Sequence, residues 1–174
     1  PLTMMSWLSN TWASGMASAT RINEVLETVP EIQEMPSALT IPKSATGRVV
    51  FEDVSFHYNG NSDEAVLEQI NLVAEPGQTV AILGATGAGK STLVNLVPRF
   101  YDVTAGRILI DGLDIRQVTQ DSLLAQIGIV PQETILFSGT VRDNIRYGAP
   151  NASEEEVVAA AQAAQAHHFI IDLP

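Results

Sequence analysis

A chain of 174 residues with 45% hydrophobic content has room for one packed domain and an appendage. Its formal net charge of -11, with only nine Lys and Arg scattered along it, excludes a nucleic-acid surface, which is built from clustered cations. The absence of cysteine excludes a disulfide framework and thiolate metal ligation, in keeping with a reducing compartment.

Residues 1–20 carry no charged side chain, yet Ser, Thr and Asn interrupt the apolar residues throughout. No basic region precedes an apolar run, so no secretory signal is read here. A free-standing transmembrane helix needs about 20 predominantly apolar residues. This segment is too polar for that and reads as the inner end of such a helix, or as a neutral amphipathic helix. Trp7 and Trp12 suit a membrane interface or plain packing. Ile22, Val25, Leu26 and Val29 share one helical face, with Arg21, Glu24 and Glu27 on the other. Pro30 stops that helix, and residues 31–47, with Pro36 and Pro42, read as an extended linker.

Strand signals follow. Val49 to Tyr58 is rich in β-formers with partial alternation, Asn59-Gly60-Asn61 reads as a turn, and Leu67 to Ala74 reads as a second strand. Pro76-Gly77 then turns the chain into the apolar run Thr79-Val80-Ala81-Ile82-Leu83, predicted as a strand. It feeds Gly84-Ala85-Thr86-Gly87-Ala88-Gly89-Lys90-Ser91, which fits the phosphate-binding loop pattern between a strand and a helix. The glycines let successive backbone N–H groups turn toward one anion, and the helix start adds its positive dipole end. Lys90 is placed to reach the β- and γ-phosphates, and the Ser91 hydroxyl to ligate Mg²⁺. The run Gly84 to Thr92, including Ala85, Thr86, Gly87, Ala88 and Gly89, is therefore expected to bind a nucleoside triphosphate.

The helix from Ser91 is expected to end near Pro98. Arg107 to Ile110 reads as a short strand closed by Asp111-Gly112, Gln120 to Gln126 as a short helix, and Ile127-Gly128-Ile129-Val130 as a buried strand. Thr140 to Tyr147 is predicted helical, stopped by Gly148 and Pro150. Ser153 with Glu156 forms a capping box for an alanine-rich helix, whose Glu154-Glu155-Glu156 start is a solvated first turn. Strands alternating with helices imply an α/β fold, a P-loop core with a mainly parallel sheet, and the early β-rich run adds an antiparallel layer. Asp111 and Asp114 are read as turn chemistry rather than catalysts. His57 is read as facing the other side of its strand, and His167 and His168 as cations near the end of the alanine-rich helix.

Several segments together resemble one family, the nucleotide-binding domain of exporter-type ATP-binding cassette (ABC) transporters. Besides the phosphate loop, they are Arg99-Phe100-Tyr101-Asp102 with Gly106 to Gly112 and Asp114-Ile115, then Ile129-Val130-Pro131-Gln132-Glu133, and Leu136 to Ile145. Ala19 to Glu27 resembles the exit of the last transmembrane helix. The resemblance implies residues 1–30 as the cytoplasmic end of that helix, 31–47 as linker and 48–174 as a partial nucleotide-binding domain. It implies that Tyr58 stacks on adenine and that Gln132 touches Mg²⁺ or the attacking water. The cofactors implied are ATP and Mg²⁺.

After Gln132 the sequence holds no apolar run ending in Asp-Glu, no Leu-Ser-Gly-Gly-Gln signature and no histidine at the family's switch position. The chain thus reads as a fragment truncated before the complete helical subdomain, able to bind ATP but not to hydrolyse it. The parent is expected to be an ATP-hydrolysing exporter, integral to the inner (plasma) membrane with this segment on the cytoplasmic side. Its expected partners are a second nucleotide-binding domain and its own transmembrane domain, with the membrane met through a preceding part and no nucleic acid. The alternatives are a soluble ATP-binding regulatory module and a scaffold with a vestigial loop.

Overall fold

β1 (Val49–Phe56) sits between β2 (Leu67–Ala74) and β3 (Ala105–Ile110), and β4 (Leu113–Asp114) closes the edge of a four-stranded antiparallel sheet of order β2-β1-β3-β4. This is the computed structural model of the protein, and it describes residues 2–58 and 65–173. The predicted turn at Asn59-Gly60-Asn61 lies outside the described residues. Phe51 stands opposite Leu72 on one side and Ile108 on the other.

The partial alternation of β1 has a local cause. Phe51, Val54 and Phe56 are buried, so the inward spacing changes from three to two across Asp53. Asp53 has φ 47°, and the ladder to β3 shifts between Glu52 and Ser55, as an extra residue in one strand requires. Opposite it, Gly106 has φ 76°, and a Cβ there would run into the carbonyls of Glu52 and Asp53. Only glycine fits that approach.

The sheet's inner face packs on α2 (Lys90–Leu96) and α3 (Gln120–Leu124), which bury Leu96 and Leu123 completely in the same cluster as Phe51, Val54 and Ile108. Full burial of such side chains is worth about 1.5–3 kcal/mol each.

Residues 31–47 hold no regular element, yet they are fastened along the first unit. The Leu39 N–H donates to Gln117 O (2.8 Å) and its carbonyl accepts from Thr119 N (2.8 Å), forming an isolated parallel bridge, Leu39 with Val118. Ile41 is 3% exposed, and its N–H donates to Ser122 Oγ. Arg99, also 3% exposed and at φ 56°, reaches across: its guanidinium donates to Asp102 Oδ1 (2.7 Å), Gln33 O (3.2 Å) and Arg116 O (3.5 Å). A buried guanidinium without those acceptors would be costly, so the strap and the segment after α2 are bound by one cation.

The chain divides into two compact units, residues 1–128 and 129–174. In the first, α1 (Leu2–Glu27) exposes the described side chains along its length, Trp7 and Trp12 among them. No described helix is long and apolar enough to cross a membrane. In the second, α4 (Val141–Arg146) and α5 (Glu154–Ala163) both begin with complete capping boxes, Thr140 with Asp143 and Ser153 with Glu156. α6 (His167–Ile170) follows Gln165 at φ 58°. That left-handed residue ends α5, so His167 and His168 open α6 instead of closing the alanine-rich helix.

Thr79 to Leu83 and Ile127 to Val130 are not strands here. They carry no ladder, and Leu83 and Val130 are 92% and 96% exposed. A strand is made by a neighbour accepting its backbone hydrogen bonds, and among the described residues neither run has one. Among the described residues the antiparallel layer is in place and no ladder of the expected parallel sheet is formed.

Candidate nucleotide-binding site

The loop from Gly84 to Gly89 owes its shape to its glycines. Gly87 and Gly89 have φ 83° and 80°, left-handed values that other residues seldom adopt. At Gly89 a Cβ would lie 2.8 Å from the Leu67 side chain and 3.0 Å from Val66 O, so the turn is pressed against the start of β2. Gly89 is then the N-cap of α2 and offers no side-chain acceptor. Among the described residues, nothing accepts from the backbone N–H groups of Gly89, Lys90, Ser91 or Thr92. Orphan donors converging at a helix start are what an anion satisfies.

Lys90 bends back over this loop. Its ammonium donates to Gly84 O (2.9 Å) and Ala85 O (2.7 Å), and among the described residues no carboxylate pairs with it. Ala85, Thr86 and Ala88 are exposed along the loop, and Ser91 is exposed on the first turn of α2. The Ser91 hydroxyl is a hard oxygen donor next to the orphan amides. It fits Mg²⁺, which takes one or two protein ligands and completes its shell with phosphate oxygens and water.

Tyr58 belongs to the same place, although it lies 26 positions before Gly84 in the chain. Its hydroxyl lies 3.0 Å from Thr92 Oγ1, and Thr92 is only 6% exposed. The ring meets Phe56 edge-on at 4.8 Å and Tyr101 at 5.2 Å, and Tyr58 keeps 38% of its surface exposed. The first unit thus brings together Tyr58, the loop Gly84 to Gly89, Lys90, Ser91 and Thr92. Gln132 is an exposed residue in a bend of the second unit.

Asp111 is held by its surroundings and not poised for proton transfer. It sits at φ 49° after β3 and accepts from the Thr46 hydroxyl (2.6 Å) and from the N–H groups of Thr46, Gly47 and Arg48. The Thr46 hydroxyl foremost, against a smaller opposing effect of burial, draws its carboxyl down to about 2. Asp114 is likewise engaged, by Arg116 Nη2 at 2.7 Å.

Arg99 is the residue that sequence reasoning passed over as a mere part of a resembling segment. The usable signal was an arginine beside Phe100-Tyr101 just after a predicted helix, where a cation can be enclosed by its own turn. Its partners, 66 and 17 positions away, carry no sequence signal.

With this geometry in view, the relatives are informative. The family described as "ABC transporter" matches residues 67–173. The chain belongs to the ABC transporter family. It is 48% identical over its whole length to the ATP-dependent lipid A-core flippase of Syntrophus aciditrophicus, of which it spans 28%. It is also 48% identical over its whole length to the fatty acid ABC transporter ATP-binding/permease protein of Mycobacterium bovis, of which it spans 27%. A solved bacterial Atm1-family ABC exporter with ATP bound covers all of this chain with 41% identity and a TM-score of 0.85, the chain spanning 30% of that structure. The ABC chain described here therefore corresponds to less than a third of the length of these relatives.

Proposed function

We propose that this chain binds ATP with Mg²⁺ as part of an ABC exporter. The observation that carries the reading is the loop itself, with orphan amides from Gly89 to Thr92 and Lys90 folded onto the carbonyls of Gly84 and Ala85. An arriving triphosphate offers those amides acceptors and gives the ammonium a stronger partner than two neutral carbonyls. Gly84, Ala85, Thr86, Gly87, Ala88 and Gly89 supply the cradle, and Lys90 meets the β- and γ-phosphates. Tyr58 offers the face that stacks on adenine, at about 1–3 kcal/mol for such a base platform. Ser91 holds Mg²⁺, which when bound neutralises charge on the phosphate oxygens, and the role of Gln132, toward Mg²⁺ or the attacking water, is the one implied by the family resemblance.

The whole protein, in this reading, is an ATP-hydrolysing exporter: residues 1–30 leave its last transmembrane helix, 31–47 link, and 48–174 belong to the nucleotide-binding domain. Two such domains close around ATP and move the attached membrane helices. It lies in the inner (plasma) membrane, with this segment on the cytoplasmic face. The relatives' names, a flippase and an ATP-binding/permease protein, support this assignment. The present chain by itself takes up ATP without appreciable hydrolysis, since no Asp-Glu strand end stands after Gln132 to organise the attacking water.

Calorimetric titration tests the claim. Mg-ATP should bind the wild-type chain, and Lys90→Ala should weaken it about tenfold to hundredfold, the worth of a charge-assisted contact of about 1.5–3 kcal/mol. Equal affinities for the two chains would contradict the role of Lys90. No heat with a folded wild type would contradict the reading as a whole.

A further inference from the structure

We infer that Tyr101 is a positioning residue for base recognition: its ring holds the Tyr58 ring in the orientation that receives adenine. The inference rests on the nucleotide reading above and deepens it. Tyr101 stands in the segment Arg99 to Asp102, which that reading leaves without a part in the site. Its ring lies 5.2 Å from Tyr58, with the two planes at 90°, and 5.6 Å from Phe56. Phe56 in turn meets Tyr58 at 4.8 Å and 86°. The three rings form one cluster, and Tyr58 is its most exposed member. Phe100, the neighbour of Tyr101 in the chain, is exposed and makes none of these ring contacts.

A tyrosine used as a stacking platform must keep one ring plane, or the base meets a turning surface. Tyr58 lies two residues past the last residue of β1, so the ladder does not set that plane and side-chain neighbours must. The Thr92 hydroxyl bonds only the tip of the ring. It belongs to the turn whose amides meet the phosphates, so the bond is not reserved for the platform. A contact at the tip also lies on the ring's own axis and leaves rotation about that axis free. Perpendicular rings beside it restrain that rotation, because aromatic pairs favour the edge-to-face arrangement and turning the ring loses it. Phe56 is anchored in the core. Tyr101 needs an anchor of its own, and its turn supplies one. Arg99, at φ 56°, donates from Nε to Asp102 Oδ1 at 2.7 Å and from Nη2 to Asp102 Oδ2 at 3.1 Å. Such a bidentate pair is directional, and it brackets Tyr101 on both sides in the chain. The buried cation therefore serves the platform as well as the strap. Pre-organisation of this kind improves affinity by sparing the cost of ordering the ring on binding.

The test compares Mg-ATP with Mg-tripolyphosphate, which has the phosphates and lacks the base, on this full chain. Tyr101→Leu keeps an apolar side chain and removes the ring. It should weaken ATP about threefold to tenfold, the scale of one aromatic pair, while tripolyphosphate affinity stays within about twofold. Tyr101→Phe, which keeps the ring, should bind ATP within about twofold of the wild type. In a Tyr58→Leu background there is no platform ring to orient, and Tyr101→Leu should cost ATP no more than about twofold further. Unchanged ATP affinity in Tyr101→Leu would overturn the inference and leave the nucleotide reading intact. Equal weakening of both ligands would make Tyr101 a packing residue and overturn it as well. So would a loss in Tyr101→Phe as large as in Tyr101→Leu, or a full further loss in the Tyr58→Leu background. If Tyr101→Leu fails to fold, Tyr101→Met, longer and more adaptable, carries the same comparison, and unchanged ATP affinity there overturns the inference. A folded wild type that does not bind Mg-ATP would remove the nucleotide reading itself, and the inference with it.

Discussion

Two apolar regions of this chain have similar composition and opposite fates. In β1 and β3, Val54 and Ile108 are wholly buried between neighbours that accept each other's backbone hydrogen bonds. In the run before the phosphate loop, and in the run from Ile127, Leu83 and Val130 stand 92% and 96% exposed with no ladder beside them. Hydrophobicity alone does not make a strand; a partner strand within reach does. The phosphate loop follows the unladdered run and still has its left-handed glycines and folded-back lysine. Its conformation comes from local causes: Gly87, Gly89, the wall of Leu67 and Val66, and the start of α2.

The comparison can be broken or sharpened by substitution. The largest effect is expected in the laddered region: Ile108→Ala should cost about 3 kcal/mol, the usual toll of a cavity in a packed core, read as a shifted urea midpoint. A loss below about 0.5 kcal/mol, typical of surface sites, would show that the sheet is no better packed than the run it is contrasted with. Next comes the strap. Arg99→Met removes the cation that binds Gln33 O, Arg116 O and Asp102, and should cost about 2 kcal/mol by leaving those acceptors unpaired. Hydrogen exchange should also quicken selectively at Leu39 and Thr119, whose amides close the isolated bridge.

A smaller effect is expected at Asp111. Its carboxyl is lowered from 3.8 to about 2 in the folded chain, so the stability it contributes is complete above the ordinary value and is lost as pH falls through the folded one. The melting difference between wild type and Asp111→Asn should therefore be constant from pH 7 to about 5 and shrink between about pH 4 and 2. A difference that persists unchanged at the acid end would contradict the Thr46 to Arg48 contacts. The smallest effect belongs to Leu83→Ser, which should change stability by less than about 0.5 kcal/mol while reducing self-association seen in sedimentation, because an unpaired apolar run is an aggregation template.

The same contrast explains how much the sequence disclosed. Leu67 to Ala74 was legible to the residue, because its pattern and its turn signals are local. The capping box of Ser153 and Glu156 was equally local and is present. That of Thr140 and Asp143 was overlooked, although the Thr-to-acid spacing was there to be read. The pattern from Gly84 to Ser91 was legible as a motif, and the left-handed Gly87 and Gly89 give its loop shape; the family was legible too. The bulge at Asp53 left its trace as imperfect alternation but needed Gly106, on the neighbouring strand β3, to be interpreted. The strand readings at Thr79 to Leu83 and Ile127 to Val130 failed for want of a neighbour, a property no window of sequence contains. The long-range polar ties, Arg99 to Gln33 and Tyr58 to Thr92, were invisible for the same reason: each is one hydrogen bond between segments that composition cannot bring together.

The central claim is that the orphan amides at the head of α2 are an anion site for ATP. Hydrogen exchange of this chain with and without saturating Mg-ATP tests it directly, residue by residue. Exchange should slow at Gly89, Lys90, Ser91 and Thr92, with the β1–β3 ladder unchanged. Exchange at those four amides that is indifferent to ATP, in a sample whose ladder is protected, would contradict it.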